Sequence, residues 1–271
     1  MSKPATSPGL IRVGIGGWSY DPWRETFYPP SVPAKGELEY ASRQVTAIEI
    51  NSTFYRMQKP EVYAKWRDST PEDFVFSLKA PRFIMQRKVL AEAGSGIQRF
   101  IGGGIVELQQ RLGPILWQLA PTQHFDAADL ERFLEMLPTN LDNLTLRHAL
   151  EVRHESYMNA DFLALAHKYG VSVVFEDDKD YPGCADVTGT FIYARLRQCV
   201  ATVETGYAAP ALKLWADRAR TWARGAEPTD LPRVAPPMAK AQPRDVFIYF
   251  INGAKERAPS AARALIAILR Q

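Results

Sequence analysis

The hydrophobic and polar positions of this chain follow two different periods in alternation. Short apolar runs rich in β-branched and aromatic residues predict strands, and longer stretches with a helical period separate them. The predicted strands are 11–17, 46–51, 74–80, 115–120, 144–153, 172–177, 191–197 and 246–252. The predicted helices are 34–44, 60–69, 96–112, 126–137, 159–169, 209–224 and 259–270.

Capping residues support several of these boundaries. Pro60 stands at the first position of one predicted helix, and Asp126 and Asn159 stand where an N-cap is expected. Gly113 and Gly170 follow two helical patterns, so we predict that each glycine ends a helix.

Eight strands that alternate with helices predict a single α/β domain, a (β/α)₈ TIM barrel, over residues 10–271. An open, doubly wound sheet is the alternative. The segment 178–190 is short and interrupted by proline and glycine, which predicts a degenerate sixth crossover helix. The proline-rich segment 227–243 reads as a long loop, and residues 1–9 as a disordered tail.

Composition is that of an ordinary globular protein, with 46% hydrophobic and 23% charged residues among 271. No apolar run is long enough to cross a bilayer, so we predict no membrane partner. Two cysteines give no disulfide framework, and a reducing cytoplasmic location is expected. The net charge of +3 is mild and its lysines and arginines are scattered, which argues against a basic nucleic-acid-binding tail.

Polar residues recur near the C-terminal ends of six predicted strands, on the face that should point into the barrel. Because side chains alternate along a strand, Ile48 and Ile50 face the helices while Glu49 faces inward. The inward or strand-end polar residues are Glu49, Asn51, Lys79, Gln118, Glu151, Arg153, Arg195 and Asn252. Barrel enzymes carry their active sites at this end, so we predict a functional site there.

Buried charges must find partners, and a structural ion network that closes the barrel is the alternative explanation. A purely structural plug would be more stable if it were built of aliphatic side chains, so the convergence of charges favours a site. Aromatic residues in the adjoining loops could stack on a sugar or a base. These are Trp18, Tyr20, Trp23, Phe54 and Tyr55.

The four histidines do not cluster along the sequence, and only His154 follows a predicted strand. We therefore predict no metal site and no cofactor.

Several segments together resemble one family. They are GGWSYDPW, EINSTFYR, FSLKAPR, LGPILWQLAP, EVRHESY, YARLR and VFIYFIN, and they extend the match from Ile11 to Leu269. The chain resembles the YecE-like family, a domain of unknown function, and the resemblance implies a TIM barrel without an established activity. Relatives commonly have a histidine where this chain has Arg197.

Three functions are consistent with these residues. The first is an enzyme for a small anionic, phosphorylated or sugar-like substrate, with Glu49 and Glu151 as acid and base and Lys79 as a possible nucleophile. Arg153, Arg195 and His154 would then bind the substrate, and a glycosidase would use the two glutamates as a widely separated pair. The second is a nucleic-acid-binding or nuclease-like protein that takes a nucleotide into the mouth of the barrel, at the C-terminal ends of its strands. The third is a non-catalytic metabolite-binding barrel.

Overall fold

The structure is a computed structural model that describes residues 7–237 and 242–271. Eight parallel strands close into one barrel in sequence order, as predicted. They are β1 (Ile11–Gly16), β2 (Ala47–Ile50), β3 (Val75–Lys79), β4 (Leu112–Gln118), β5 (His148–Glu151), β6 (Ser172–Asp177), β7 (Phe191–Leu196) and β8 (Asp245–Phe250).

Helices surround the barrel. They are α1 (Trp23–Thr26), α2 (Glu37–Ala41), α3 (Ser52–Tyr55), α4 (Pro60–Asp68), α5 (Arg82–Met85), α6 (Gly94–Ile101), α7 (Ala127–Glu135), α8 (Ala160–Lys168), α9 (Ala209–Ala223) and α10 (Ala258–Leu269). Five 3₁₀ segments add Ala34–Gly36, Leu90–Glu92, Ile105–Arg111, Glu155–Tyr157 and Lys255–Arg257. The short helices α1, α3 and α5 were not predicted, because one turn leaves no periodic signal.

The barrel has two separate hydrophobic cores, as the alternation of side chains requires. Ile48 and Ile50 belong to the outer core between strands and helices, with most of the buried apolar residues. The inner core is Ala47, Val75, Leu116, Ala149, Val174, Phe191, Tyr193, Phe247, Tyr249 and Ile251. This inner core fills the lower barrel and leaves the C-terminal end to polar side chains.

The helix predicted over 96–112 is wrong in its second half. Helix α6 ends at Ile101, and a separate 3₁₀ segment follows it. Gly104 has a φ of 100°, and a Cβ there would lie 2.7 Å from Pro60 Cγ, so glycine breaks the helix. Gly113 lies inside β4 rather than at a helix end, whereas Gly170 follows α8 with a φ of 63°, as predicted.

The strand predicted over 144–153 is in fact two elements. Leu144–Thr145 pairs antiparallel with Asn140–Leu141 in a small hairpin, and the barrel strand β5 begins only at His148. Both pieces mix apolar and polar residues, and the sequence pattern does not mark where the chain leaves the hairpin for the barrel.

Between β6 and β7 the described segment 178–190 contains no helix, as predicted. Asp186 in this segment accepts hydrogen bonds from the backbone N–H groups of Val234 and Ala235, at 2.8 and 2.9 Å. The long loop before β8 therefore covers the place of the missing helix. Residues 238–241 of that loop lie outside the described residues, as do residues 1–6 of the predicted tail, which stays a prediction.

Candidate active site at the barrel mouth

Arg195 stands at the centre of the polar layer, and its guanidinium group binds carboxylates from three strands. Its Nε and Nη2 atoms donate to Glu49 at 3.0 and 3.1 Å. Its Nη1 atom donates to Glu151 at 2.5 Å and to Glu176 at 2.8 Å. Arg195 is 2% exposed, and these three carboxylates raise its pKa well above the usual value against the effect of burial.

Glu49, the acid inside an apolar strand, is fully buried. Besides the two bonds from Arg195, it accepts one from the Tyr193 hydroxyl at 2.8 Å. Its two oxygens are thus satisfied by groups on β7, across the barrel. Burial and the nearby carboxylate in turn raise the pKa of Tyr193 well above its usual value, so the tyrosine remains a donor.

Glu151 is held as a carboxylate by several donors. Arg153 Nε and Gln118 Nε2 each donate to its Oε1 atom at 2.6 Å. Burial alone would favour the neutral acid, but Arg195 and Arg153 outweigh it and lower the pKa of Glu151 to about 2. Glu151 is therefore ionised at neutral pH.

Glu176 on β6 is the third carboxylate bound to Arg195. It was not predicted from the sequence as a site residue. It is 2% exposed, and burial together with the charge of Glu151 raises its pKa to about 7. Its Oε1 atom accepts from Arg195, whereas its buried Oε2 atom has no hydrogen-bond partner among the described residues. The alternation of side chains along β6 could have identified it, because Glu176 shares the inward face of that strand with Val174.

Two further arginines lie above this layer. Arg197 Nη1 donates to Glu176 at 3.2 Å, and its Nε atom lies 2.6 Å from Asp178 Oδ2. Arg153 lies 4.5 Å and Arg197 5.5 Å from the centre of the Tyr181 ring, so one aromatic face supports both guanidinium groups. In the amide orientation that satisfies its contacts, Asn252 accepts from Arg197 Nη2 at 2.8 Å.

Lys79, at the end of β3, differs from the arginines because no carboxylate in the described parts of the chain pairs with it. Its Nζ atom lies 4.0 Å from the centre of the Phe54 ring. Burial and the positive charge of Arg195 lower its pKa to about 8, against the opposing effects of Glu49 and Glu151.

These side chains surround a cavity of about 670 Å³ that opens at the mouth. The predicted residues that line it are Trp18, Asn51, Phe54, Tyr55, Lys79, Gln118, Arg153, Arg195 and Asn252, joined by Arg197 and Lys255. Glu49, Glu151 and Glu176 are not in its wall. Glu176 and Asp178 add negative charge to the cluster, but the charges are layered, with cations at the cavity and carboxylates outside its wall.

Three predicted binding residues do not line this cavity. Trp23 is fully buried in the outer core, where its Nε1 atom donates to the Lys255 carbonyl at 2.9 Å. Tyr20 packs edge-on against Trp23, with 5.5 Å between ring centres. His154 contacts His124, which lines a neighbouring groove, with 3.8 Å between the ring centres and the ring planes tilted by 43°. Two histidines therefore do come together, contrary to their spacing in the sequence.

Among the described residues, no group of three or more histidine, cysteine, aspartate or glutamate side chains is arranged to hold a metal ion. Within the same residues, no helix combines the length and apolarity needed to span a bilayer.

The fold and this layered mouth define the chain as a (β/α)₈ barrel protein with a polar pocket at the C-terminal end of its strands. The family model described as "Protein of unknown function DUF72" matches residues 12–271, and the chain belongs to this family. The resemblance to YecE-like proteins is confirmed by the UPF0759 protein YecE of Escherichia coli (strain K12), 28% identical over 151 residues. That match covers 55% of this chain and 50% of YecE, so the chain spans about half the length of this relative.

Solved structures of the same family share the fold. A DUF72 family protein from Thermotoga maritima superposes with a TM-score of 0.73 at 21% identity, over 97% of this chain and 100% of that one. A DUF72 family protein from Enterococcus faecalis gives a TM-score of 0.69 at 17% identity, over 97% and 98%. Both likenesses concern the fold alone.

Proposed function

We propose that the protein is an enzyme that binds a small molecule through a phosphate or carboxylate group in the barrel mouth. The layering of charge carries this proposal. Cationic side chains line the cavity, while Glu49, Glu151 and Glu176, which bind the arginines, are not in its wall. An anion that enters the cavity meets N–H donors that are already oriented, and such preorganisation lowers the cost of binding.

Arg153 is the strongest candidate for the anchor. Its Nε atom is bonded to Glu151, but its Nη2 atom is 3.7 Å from Glu176, beyond hydrogen-bonding distance. The terminal nitrogens of the guanidinium group are therefore available to an oxyanion, and Tyr181 supports the plane of that group. Arg197 is held on the same ring and would bind a second oxygen of the anion.

We assign Glu49 and Glu151 as positioning residues rather than as the acid and the base. Each is fully buried, each has its oxygens bonded, and neither lines the cavity. The arrangement also disfavours a glycosidase, because the Arg195 guanidinium lies between the two carboxylates where a sugar would need to lie. Lys79 lines the cavity, and its pKa of about 8 allows it to exchange a proton near neutral pH, so we propose it for proton transfer.

Calorimetry at low salt with inorganic phosphate, phosphosugars and organic acids tests the proposal. At least one of these anions should bind the wild type, and Arg153→Met and Arg197→Met should weaken it. Arg43→Met is the matched control, because Arg43 pairs with Glu39 on the surface away from the mouth. Absence of binding by all these anions, or equal binding by the two mouth variants, would contradict the proposal.

A nucleotide is the second candidate ligand. Tyr55 lines the cavity and is 70% exposed, and it packs edge-on against Phe54. An exposed ring above bound phosphate could stack on a base. Binding of a single-stranded oligonucleotide with a steep salt dependence, lost in Tyr55→Ala, would favour this candidate over a small metabolite. Ligand binding without turnover of any compound would instead identify a non-catalytic barrel.

A further inference from the structure

The Lys79 amine is a rigidly mounted group in the wall of the cavity. Its residue pairs with Leu116 on β4, and the Thr53 hydroxyl donates to its carbonyl oxygen at 2.7 Å. These bonds fix the backbone from which the side chain extends. The residue is only 8% exposed, and its Nζ atom lies over the Phe54 ring.

Burial, together with the positive charge of Arg195, disfavours the ammonium form of this amine. Arg195 and Arg153 face it with positive charge. Glu49 and Glu151 also face it, but their oxygens are bonded to arginine, tyrosine and glutamine side chains. A desolvated lysine beside other cations is the setting in which a lysine becomes a nucleophile at neutral pH. The pKa of about 8 agrees with this geometry.

We propose that Lys79 forms an imine with the carbonyl carbon of an aldehyde or ketone that also carries a carboxylate or phosphate group. This inference rests on the proposed function, since Arg153 and Arg197 would hold the anionic group while the carbonyl carbon reaches Nζ. An oxo acid or a phosphorylated aldehyde combines the two features.

The reaction balances without an oxidant, a reductant or a metal. The nitrogen lone pair forms the C–N bond, the carbonyl π electrons move to oxygen, and a proton passes from nitrogen to oxygen to give a carbinolamine. The C–O bond then breaks and the oxygen leaves as water, with a second proton that comes from the same nitrogen. One amine and one carbonyl compound thus yield one imine and one water molecule.

Borohydride trapping tests this inference. The 271-residue chain is incubated with pyruvate or glyceraldehyde 3-phosphate, reduced with sodium borohydride and examined by intact mass and peptide mapping. A pyruvate adduct adds the mass of pyruvic acid less one oxygen atom, and it should map to Lys79. Labelling should rise between pH 7 and pH 9 as the amine loses its proton.

Matched variants test whether Lys79 is the residue that is labelled. Lys79→Arg keeps the charge but cannot form an imine, so labelling should fall to the background level. Lys168→Arg should label like the wild type, because Lys168 pairs with Glu131 on the surface. Acetone, which has no anionic group, should label Lys79 much less than pyruvate does. Peptide mapping of the wild type gives the site even if Lys79→Arg does not fold.

Two results would overturn the inference, namely adducts spread over surface lysines or the absence of any adduct. If the second result accompanies anion binding that Arg153→Met abolishes, the proposed anion site stands and only the imine is refuted. If no anion binds and no adduct forms, both proposals fail.

Discussion

Arg195 grips Glu49 across the inside of the barrel through two parallel hydrogen bonds, from Nε to Oε2 at 3.0 Å and from Nη2 to Oε1 at 3.1 Å. The two residues are 146 positions apart in the chain. This fork-to-fork pairing has the most specific geometry available to a guanidinium group, and it leaves Nη1 free for two further carboxylates. Arg195 therefore determines how Glu49, Glu151 and Glu176 are arranged at the base of the cavity.

Removing Arg195 should destabilise the protein strongly. Arg195→Met leaves buried carboxylates without their main partner, and breaking a buried ion pair in this way costs about 3–5 kcal/mol. The free energy of unfolding from urea titration measures the effect. Arg43→Met, which removes an exposed pair, should cost less than about 1 kcal/mol. Similar losses in the two variants would contradict the role of Arg195.

Glu176 should make the protein less stable as the pH rises through weakly acidic values. Its pKa is about 7 in the folded protein but near 4.3 when unfolded, so between these values the native state keeps a proton that the unfolded chain has released. Stability therefore falls from about pH 4.5 to pH 7, and Glu176→Gln should remove this fall. Urea titrations across this range measure it, with the exposed Glu25→Gln as control. Glu151 acts in a separate window at lower pH, because its folded pKa is about 2.

Lys79 should make the protein more stable as the pH rises through alkaline values, the opposite of the effect of Glu176. Its pKa is about 8 when folded and about 10.4 when unfolded, so the unfolded chain binds the additional proton between these values. Stability then rises with pH across the interval, by at most about 3 kcal/mol. Comparing the unfolding free energies of wild type and Lys79→Met at pH 7 and pH 9.5 isolates this contribution. An equal change in both proteins would show that Lys79 has an ordinary pKa.

We expect Tyr181 to affect anion binding through Arg153 and Arg197, and not through Arg195 or the carboxylates that Arg195 binds. Tyr181→Ala removes the ring against which Arg153 and Arg197 are held, a contact worth about 0.5–2 kcal/mol for each guanidinium group. Anion affinity measured by calorimetry should fall, whereas Tyr181→Phe keeps the ring and should bind like the wild type. A loss of affinity in Tyr181→Phe as well would assign the effect to the hydroxyl group instead.

The fold and half of the site could be predicted because side chains alternate between the two faces of a strand. This alternation depends only on neighbouring positions in the sequence. Glu49, Lys79 and Arg195 each stand on the inward parity of an apolar run, which places them at the mouth without knowledge of their neighbours. Burial of these charges predicts that they need partners. Glu49 and Arg195 pair with each other, whereas no carboxylate among the described residues pairs with Lys79.

The remainder depends on distances between strands, which the sequence does not contain. Lys79 and Glu49 lie on adjacent strands, yet Glu49 is paired with Arg195 and Tyr193 on the far side. Trp23 belongs to the same aromatic sequence motif as Trp18, but α1 turns it into the outer core. Loop geometry of this kind is set by packing and not by any periodic pattern.

Because one guanidinium group binds carboxylates from three strands, Arg195 cannot be replaced independently of the three acids during evolution. Loss of Arg195 alone leaves three acids without their central partner, whereas an arginine retained after Glu49 is lost still keeps Glu151 and Glu176. A viable substitution history must therefore neutralise the acids before it removes the base. Related barrels that have abandoned this arrangement should show coordinated replacements at all four positions.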